Sequence, residues 1–205
     1  MNFDRGSLVG LDGGIMKITV FLGSMFGSRP VYKAAVTKLG RWIGKEGHWL
    51  VYGGSMTGLM GTLAEAVLSA GGKVTGVEPQ MFVEQDLQSN EITELIVVPD
   101  IPSRRKVMLE MGDVYIAFPG GTGTLEEVSE AISHVKMGLQ SGVCILYNLE
   151  GFYDPLKSQF SRMVEEGFID REAMKSIFFT ENLQEITSII EDYSERSGIK
   201  KKKKK

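Results

Sequence analysis

A chain of 205 residues, 42% apolar and 24% charged, has the length and composition of one ordinary globular domain with a full core. No apolar run approaches the roughly 18 residues that span a bilayer, and the single cysteine, Cys144, rules out an internal disulfide. The formal charge of −3 conceals six consecutive lysines at 200–205; without them 17 basic face 26 acidic residues, a body of −9 and a poor general binder of nucleic acid.

Residues 1–15 are glycine-rich and lack periodicity, and read as a leader or an added segment. They carry neither a basic n-region nor an apolar h-region, so no secretion signal is expected and the cytosol is the natural compartment. From Met16 onward short apolar runs alternate with amphipathic stretches. Strands are expected at Ile18–Leu22, Trp49–Tyr52, Val74–Val77, Glu94–Val98, Val114–Phe118 and Val143–Tyr147. Helices are expected at Pro30–Glu46, Leu59–Ala70, Ser103–Gly112, Thr124–Gly138 and Tyr153–Glu166, with a last one over Thr180–Tyr193 capped by Thr180. The lysine run at 199–205 reads as a solvated, disordered tail. Strict alternation with continuously apolar strands predicts a mainly parallel sheet covered by helices on both faces. That is a single Rossmann-like, doubly wound α/β domain over residues 16–198.

In such sheets ligands bind outside the carboxyl ends of the strands, at the point where strand order reverses. Glycines gather there. Gly23-Ser24 follows the first strand, Gly53-Gly54-Ser55 the second, and Pro119-Gly120-Gly121-Thr122-Gly123-Thr124-Leu125-Glu126-Glu127 the fifth. Bare backbone N–H groups at a helix start bind phosphate, and a carboxylate on the opening turn of that helix sits beside whatever the phosphate carries. Glu127 and Glu130 share a helix face, whereas Glu126 points about 100° away. Arg104, Arg105 and Lys106 open the preceding helix, where basic residues oppose the helix dipole; anion binding by an arginine fork offsets that cost. His134 lies about 10 Å along the helix from Glu127, too far to be its direct partner, and reads as packing. With two histidines, one cysteine and no ligand spacing, a zinc site is not expected. The methionines read as core fillers, with one or two at a base pocket. Neither Gly-x-Gly-x-x-Gly nor Gly-x-x-x-x-Gly-Lys-Ser/Thr occurs at these loops, so a dinucleotide dehydrogenase and a P-loop NTPase are unsupported, and a mononucleotide fits better.

The Pro119–Glu127 stretch resembles the Pro-Gly-Gly-x-Gly-Thr-x-x-Glu signature of the LOG ("Lonely Guy") proteins, cytokinin riboside 5′-monophosphate phosphoribohydrolases often mislabelled as lysine decarboxylases. The likeness runs from about Lys17 to Phe168. It includes Val20–Ser24 with Pro30-Val31-Tyr32, Tyr52-Gly53-Gly54 with Gly58–Gly61, Gly72–Val77 with Pro79, and Tyr147-Asn148 with Gly151-Phe152-Tyr153. Placing Asp113 on the family's aspartate puts Arg104 and Met108 on its Arg-Lys-x-x-Met motif. Arg105 then stands at the lysine, Ile101-Pro102 at a Met-His pair, and Glu78 where an apolar residue is common. These departures leave the base preference open.

The resemblance implies hydrolysis of the N-glycosidic bond of a nucleoside 5′-monophosphate (a cytokinin riboside monophosphate or AMP) to free base and ribose 5-phosphate. Glu127 is the expected catalytic carboxylate, with Arg104 holding the nucleotide or orienting Glu127. Gly120, Gly121, Thr122, Gly123 and Thr124 would cradle the phosphate; Gly23, Ser24, Gly54, Ser55, Arg105 and Met108 would contact the remainder. No metal or organic cofactor is required, nothing marks a pyridoxal lysine, and neither nucleic acid nor membrane is an expected partner. A homodimer is implied, with hexamers in some members. The competing class is a non-catalytic carrier of the same fold, holding a nucleotide or molybdenum cofactor.

Overall fold

The computed structural model describes residues 15–89 and 91–198; the expected leader, apart from Ile15, and the lysine tail lie outside the described residues. The elements run β1 (Lys17–Phe21), α1 (Pro30–Lys45), β2 (Trp49–Tyr52), α2 (Gly58–Ser69), β3 (Lys73–Pro79), α3 (Gln80–Val83), β4 (Glu94–Val98), α4 (Ile101–Met111), β5 (Val114–Ala117), α5 (Thr122–Lys136), β6 (Cys144–Tyr147), α6 (Asp154–Glu165), β7 (Ile177–Thr180) and α7 (Leu183–Arg196). All seven strands form one sheet in the order β4-β3-β2-β1-β5-β6-β7, every pair parallel. The order reverses between β1 and β5. The fold is therefore the doubly wound α/β architecture, with its crevice at the ends of those two strands.

The apolar runs are continuous because the central strands are buried on both faces. Ile18 and Val20 of β1 and Val114 and Ile116 of β5 point to one core with Val36, Leu39 and Ile43 of α1, Leu63 and Val67 of α2, and Ile186 and Ile190 of α7. Phe21, Tyr115 and Ala117 point to the other, against Met108 and Leu109 of α4, Val128, Ala131 and Ile132 of α5, and Phe160 of α6. Full burial of each such aliphatic side chain contributes about 1.5–3 kcal/mol. α4 is also held by polar contacts. Thr19 Oγ1 of β1 donates to Met108 O at 3.0 Å, and Tyr115 Oη donates to Leu109 O at 2.7 Å.

Three expectations are corrected. Six strands were expected and a seventh exists: Ile177–Thr180 pairs in parallel with β6, Thr180 opposite Tyr147. Thr180 is thus the end of a strand, and the cap of α7 is Asn182, whose side chain accepts from the Glu185 N–H at 3.0 Å. Helices α4 and α5 also begin two residues earlier than expected. Asp100 caps α4 by accepting from the Ser103 N–H at 2.8 Å, and α5 begins at Thr122. Glu127 therefore stands on the second turn of its helix. Among the described residues, no helix is long and apolar enough to cross a membrane.

Candidate functional site

A cleft of about 470 Å³ opens at the carboxyl edge of the sheet, walled by the segments that follow β1, β2, β3 and β5. Gly23 and Ser24 come from the β1 loop, and Gly53, Ser55 and Thr57 from the β2 loop. Arg104 and Met108 come from α4, and Gly121, Thr122, Gly123, Thr124 and Glu127 from α5. Glu78, at the end of β3, completes the wall with Met60, Phe82 and Leu87.

The opening of α5 presents bare backbone to the cleft. Its cap, Gly121, offers no side chain to the helix N-terminus, so the first N–H groups, which have no partner within a helix, remain available. At Gly121 and Gly123 a Cβ would meet nothing within 4 Å, so this backbone faces open space. Gly120 differs. A Cβ there would overlap Thr124 Oγ1 and press on the Gly23 backbone nitrogen, so only glycine lets the β1 and β5 loops close on each other. Gly23 N donates across them to Pro119 O at 3.4 Å.

Arg104 lies in the middle of the cleft, on the same face of α4 as Met108, one turn on. Its Nη2 donates to Gly53 O at 2.8 Å, and a Cβ at position 53 would overlap the guanidinium. Its Nε is buried and has no hydrogen-bond partner among the described residues. Arg105 faces elsewhere. It pairs with Glu126 at 2.9 Å and Glu130 at 2.7 Å, so two carboxylates hold it outside the cleft. Gly54 and Gly120 likewise sit behind the lining. The remaining expected contacts, Gly23, Ser24, Ser55, Arg104, Met108, Gly121, Thr122, Gly123, Thr124 and Glu127, meet at the one cleft.

Two carboxyl groups share this space, and burial dominates both. The Glu127 carboxyl is pushed up to about 7 by desolvation, against the pull of Arg104 and Arg105 and with a further push from Glu126 and Glu130. Glu78, 1% exposed, is likewise pushed up to about 7 by burial, with Arg104 pulling it down. Beneath Glu127, Tyr153 donates its hydroxyl proton to Phe118 O at 2.9 Å, buttressing the end of β5. The phenol is driven upward by burial and by the Glu127 charge.

Glu78, like Thr57, Phe82 and Leu87, was not among the expected site residues, although it stood out as a departure from the family pattern. Its signal was present: a lone charge closing the apolar run Val74–Val77, immediately before Pro79. An acid whose folded pKa lies above its unfolded value lends stability below about 4.5 and loses it as pH rises through about 7. Glu78→Gln should therefore raise stability over the parent by about 1–3 kcal/mol at pH 8 and by almost nothing at pH 4, below the unfolded value. Urea unfolding at the two pH values measures this; an equal difference at both would contradict it.

The family model described as "Possible lysine decarboxylase" matches residues 60–190. The chain is 42% identical to a cytokinin riboside 5′-monophosphate phosphoribohydrolase of Rhodococcoides fascians, over 74% of this chain and 77% of that protein. It is 37% identical to the Arabidopsis thaliana enzyme LOG1, over 88% and 84%. The chain belongs to the LOG family. Among solved structures it resembles TM1055, with a TM-score of 0.68 at 23% identity over 87% of this chain and 99% of that one. It also resembles the molybdenum-cofactor carrier protein of Chlamydomonas reinhardtii, with a TM-score of 0.68 at 19% identity over 89% and 99%. At these identities the two structures speak to the fold alone, whereas the sequence relatives set the LOG family assignment.

Proposed function

We propose that this protein hydrolyses the N-glycosidic bond of nucleoside 5′-monophosphates, releasing free base and ribose 5-phosphate. The observation that carries the reading is the convergence of Glu127, Arg104 and the bare α5 N-terminus on a single cleft. The phosphate sits on the N–H groups of Gly121–Thr124, where dipole and open backbone favour an anion. Glycosidic cleavage passes through an oxocarbenium-like state, which the Glu127 carboxylate stabilises while it takes a proton from the attacking water. A carboxyl poised near 7 is suited to that exchange at neutral pH. Arg104 holds the sugar phosphate and keeps Glu127 ionised enough to act as a base. Relatives 37% and 42% identical to this chain are named for this chemistry on cytokinin riboside 5′-monophosphates.

The test compares AMP with adenosine, using purified protein. Base release from AMP should exceed that from adenosine by at least 10²-fold in kcat/KM, since the phosphate seat contributes only to the nucleotide. Equal rates would contradict the assignment of the α5 N-terminus. The carrier reading has less support, because a passive carrier has no need of an arginine and a neutral-pH carboxyl meeting at its ligand.

A cytosolic homodimer belongs to the same proposal. Leu125 on α5, with Met137 and Leu139 just beyond its end, leaves apolar area exposed beside the cleft-bearing helix. Light scattering should return twice the 22.6 kDa chain mass; a monomer would contradict the dimer, and a sixfold mass would replace it by a hexamer.

A further inference from the structure

We infer that Glu78 is the group that reads the nucleobase, accepting a hydrogen bond from a free amino group on its edge, and that this selects unalkylated amino bases over N-alkylated ones. The inference rests on the phosphoribohydrolase reading for the orientation of the nucleotide in the cleft. That orientation follows from the sheet. The phosphate seat stands at the end of β5, while Glu78 closes β3, three strands away in the order β5-β1-β2-β3. At about 4.8 Å per strand the two ends lie roughly 14 Å apart. With the phosphate at one end and Arg104 and Glu127 near the sugar, the base falls at the β3 end.

That end has the character of a base pocket. Met60, Phe82 and Leu87 supply apolar wall, suited to the flat face of a heterocycle. The segment after β3 folds back to close it. Met56 N donates to Leu87 O at 2.9 Å, and Ser89 N to Gly54 O at 2.9 Å, an isolated antiparallel bridge joining Ser55 and Gln88. Among the polar side chains at this end, Ser55 and Thr57 hydrogen-bond each other at 2.9 Å, whereas Glu78 keeps an unpaired oxygen. It is 1% exposed, and its Oε2 has no hydrogen-bond partner among the described residues. The side chain packs over Gly54, whose φ of +84° and missing Cβ leave room for the carboxyl. Arg104 influences it through space without forming an ion pair. A buried carboxyl oxygen left unpaired is costly, and once the carboxyl turns from Gly54 toward the cleft, an amino N–H on the bound base is the donor that satisfies it. A base lacking that donor, or carrying an apolar chain there, leaves the cost in place. Sites built to bond a polar substrate group discriminate strongly against analogues without it.

Calorimetry in the Glu127→Gln background, where turnover is suppressed, measures the effect as binding. The probes are AMP, purine riboside 5′-monophosphate (the amino group replaced by hydrogen) and N6-isopentenyl-AMP. AMP should bind at least tenfold more tightly than either of the others. Adding Glu78→Leu should shrink both ratios by at least tenfold, whereas Glu78→Gln, whose amide oxygen still accepts, should retain part of the preference. A merely structural role would weaken all three ligands together and leave the ratios unchanged, and that result overturns the inference. Absence of base release by the parent protein, with the Glu78-dependent ratios intact, would instead sink the hydrolase reading and leave base selection by Glu78 standing.

Discussion

Glu127→Gln should lower kcat by about 10³-fold while leaving KM for a nucleoside monophosphate within a few-fold of the parent, the range for loss of a general acid–base group. The amide keeps the size of the side chain and its place on α5, but cannot take a proton from water or offset positive charge at the sugar. The parent's own pH profile carries the same signature. Because burial lifts the Glu127 carboxyl to about 7, its basic form accumulates as pH rises, and kcat/KM should climb through an acid limb near pH 7. In Glu127→Gln that limb should vanish. Undiminished base release by the variant would remove Glu127 from the chemistry.

Arg104→Ala should lower kcat/KM by at least 10²-fold, with KM raised and kcat reduced together. The guanidinium is anchored through Nη2 on Gly53 O and acts electrostatically on Glu127 and Glu78, pulling both carboxyls down. Its removal deletes a donor to the nucleotide and lets both acids rise further. The acid limb of the pH profile should therefore move to higher pH in Arg104→Ala. Arg104→Lys should restore the position of that limb, since the charge returns. It should recover kcat/KM only in part, since the two-pronged fork does not. Normal kinetics in Arg104→Ala would show that the cleft works without it.

The main lines of the fold were legible because two periodicities alternate cleanly along the chain. Ile18–Leu22, Trp49–Tyr52 and Val114–Phe118 are apolar on both faces, and only a sheet covered on both sides makes use of that. β7 was missed for the converse reason. It is an edge strand entered from a 3₁₀ turn rather than from a helix, outside the regular alternation, and Thr180 imitated a helix cap. The Pro119–Glu127 stretch was legible as a glycine turn from a strand into a helix, and it does lead from β5 into α5 at the cleft. Which basic residue of Arg104-Arg105 faces the cleft was not legible, since adjacent helix positions point about 100° apart and the partners of Arg105 come from α5. Nor was Glu78. Its importance arises from loops that meet only in three dimensions: the segment closing over β3 and the turn at Gly54.

Glu78 also illustrates a cost carried for function. A neutral side chain there would make the protein more stable at pH 8, yet would remove the polar group that the base end of the cleft presents. Stability at pH 8 and selectivity for an amino base should therefore move in opposite directions in Glu78→Leu.

Product stoichiometry distinguishes a hydrolase from a carrier. Excess AMP is incubated with the purified protein, and free adenine and ribose 5-phosphate are quantified together over many equivalents. The two products should appear in equal amounts, increase with time far beyond one per chain, and cease to form in Glu127→Gln. Recovery of intact AMP, bound at about one per chain with neither product formed, would contradict hydrolysis and identify the protein as a carrier.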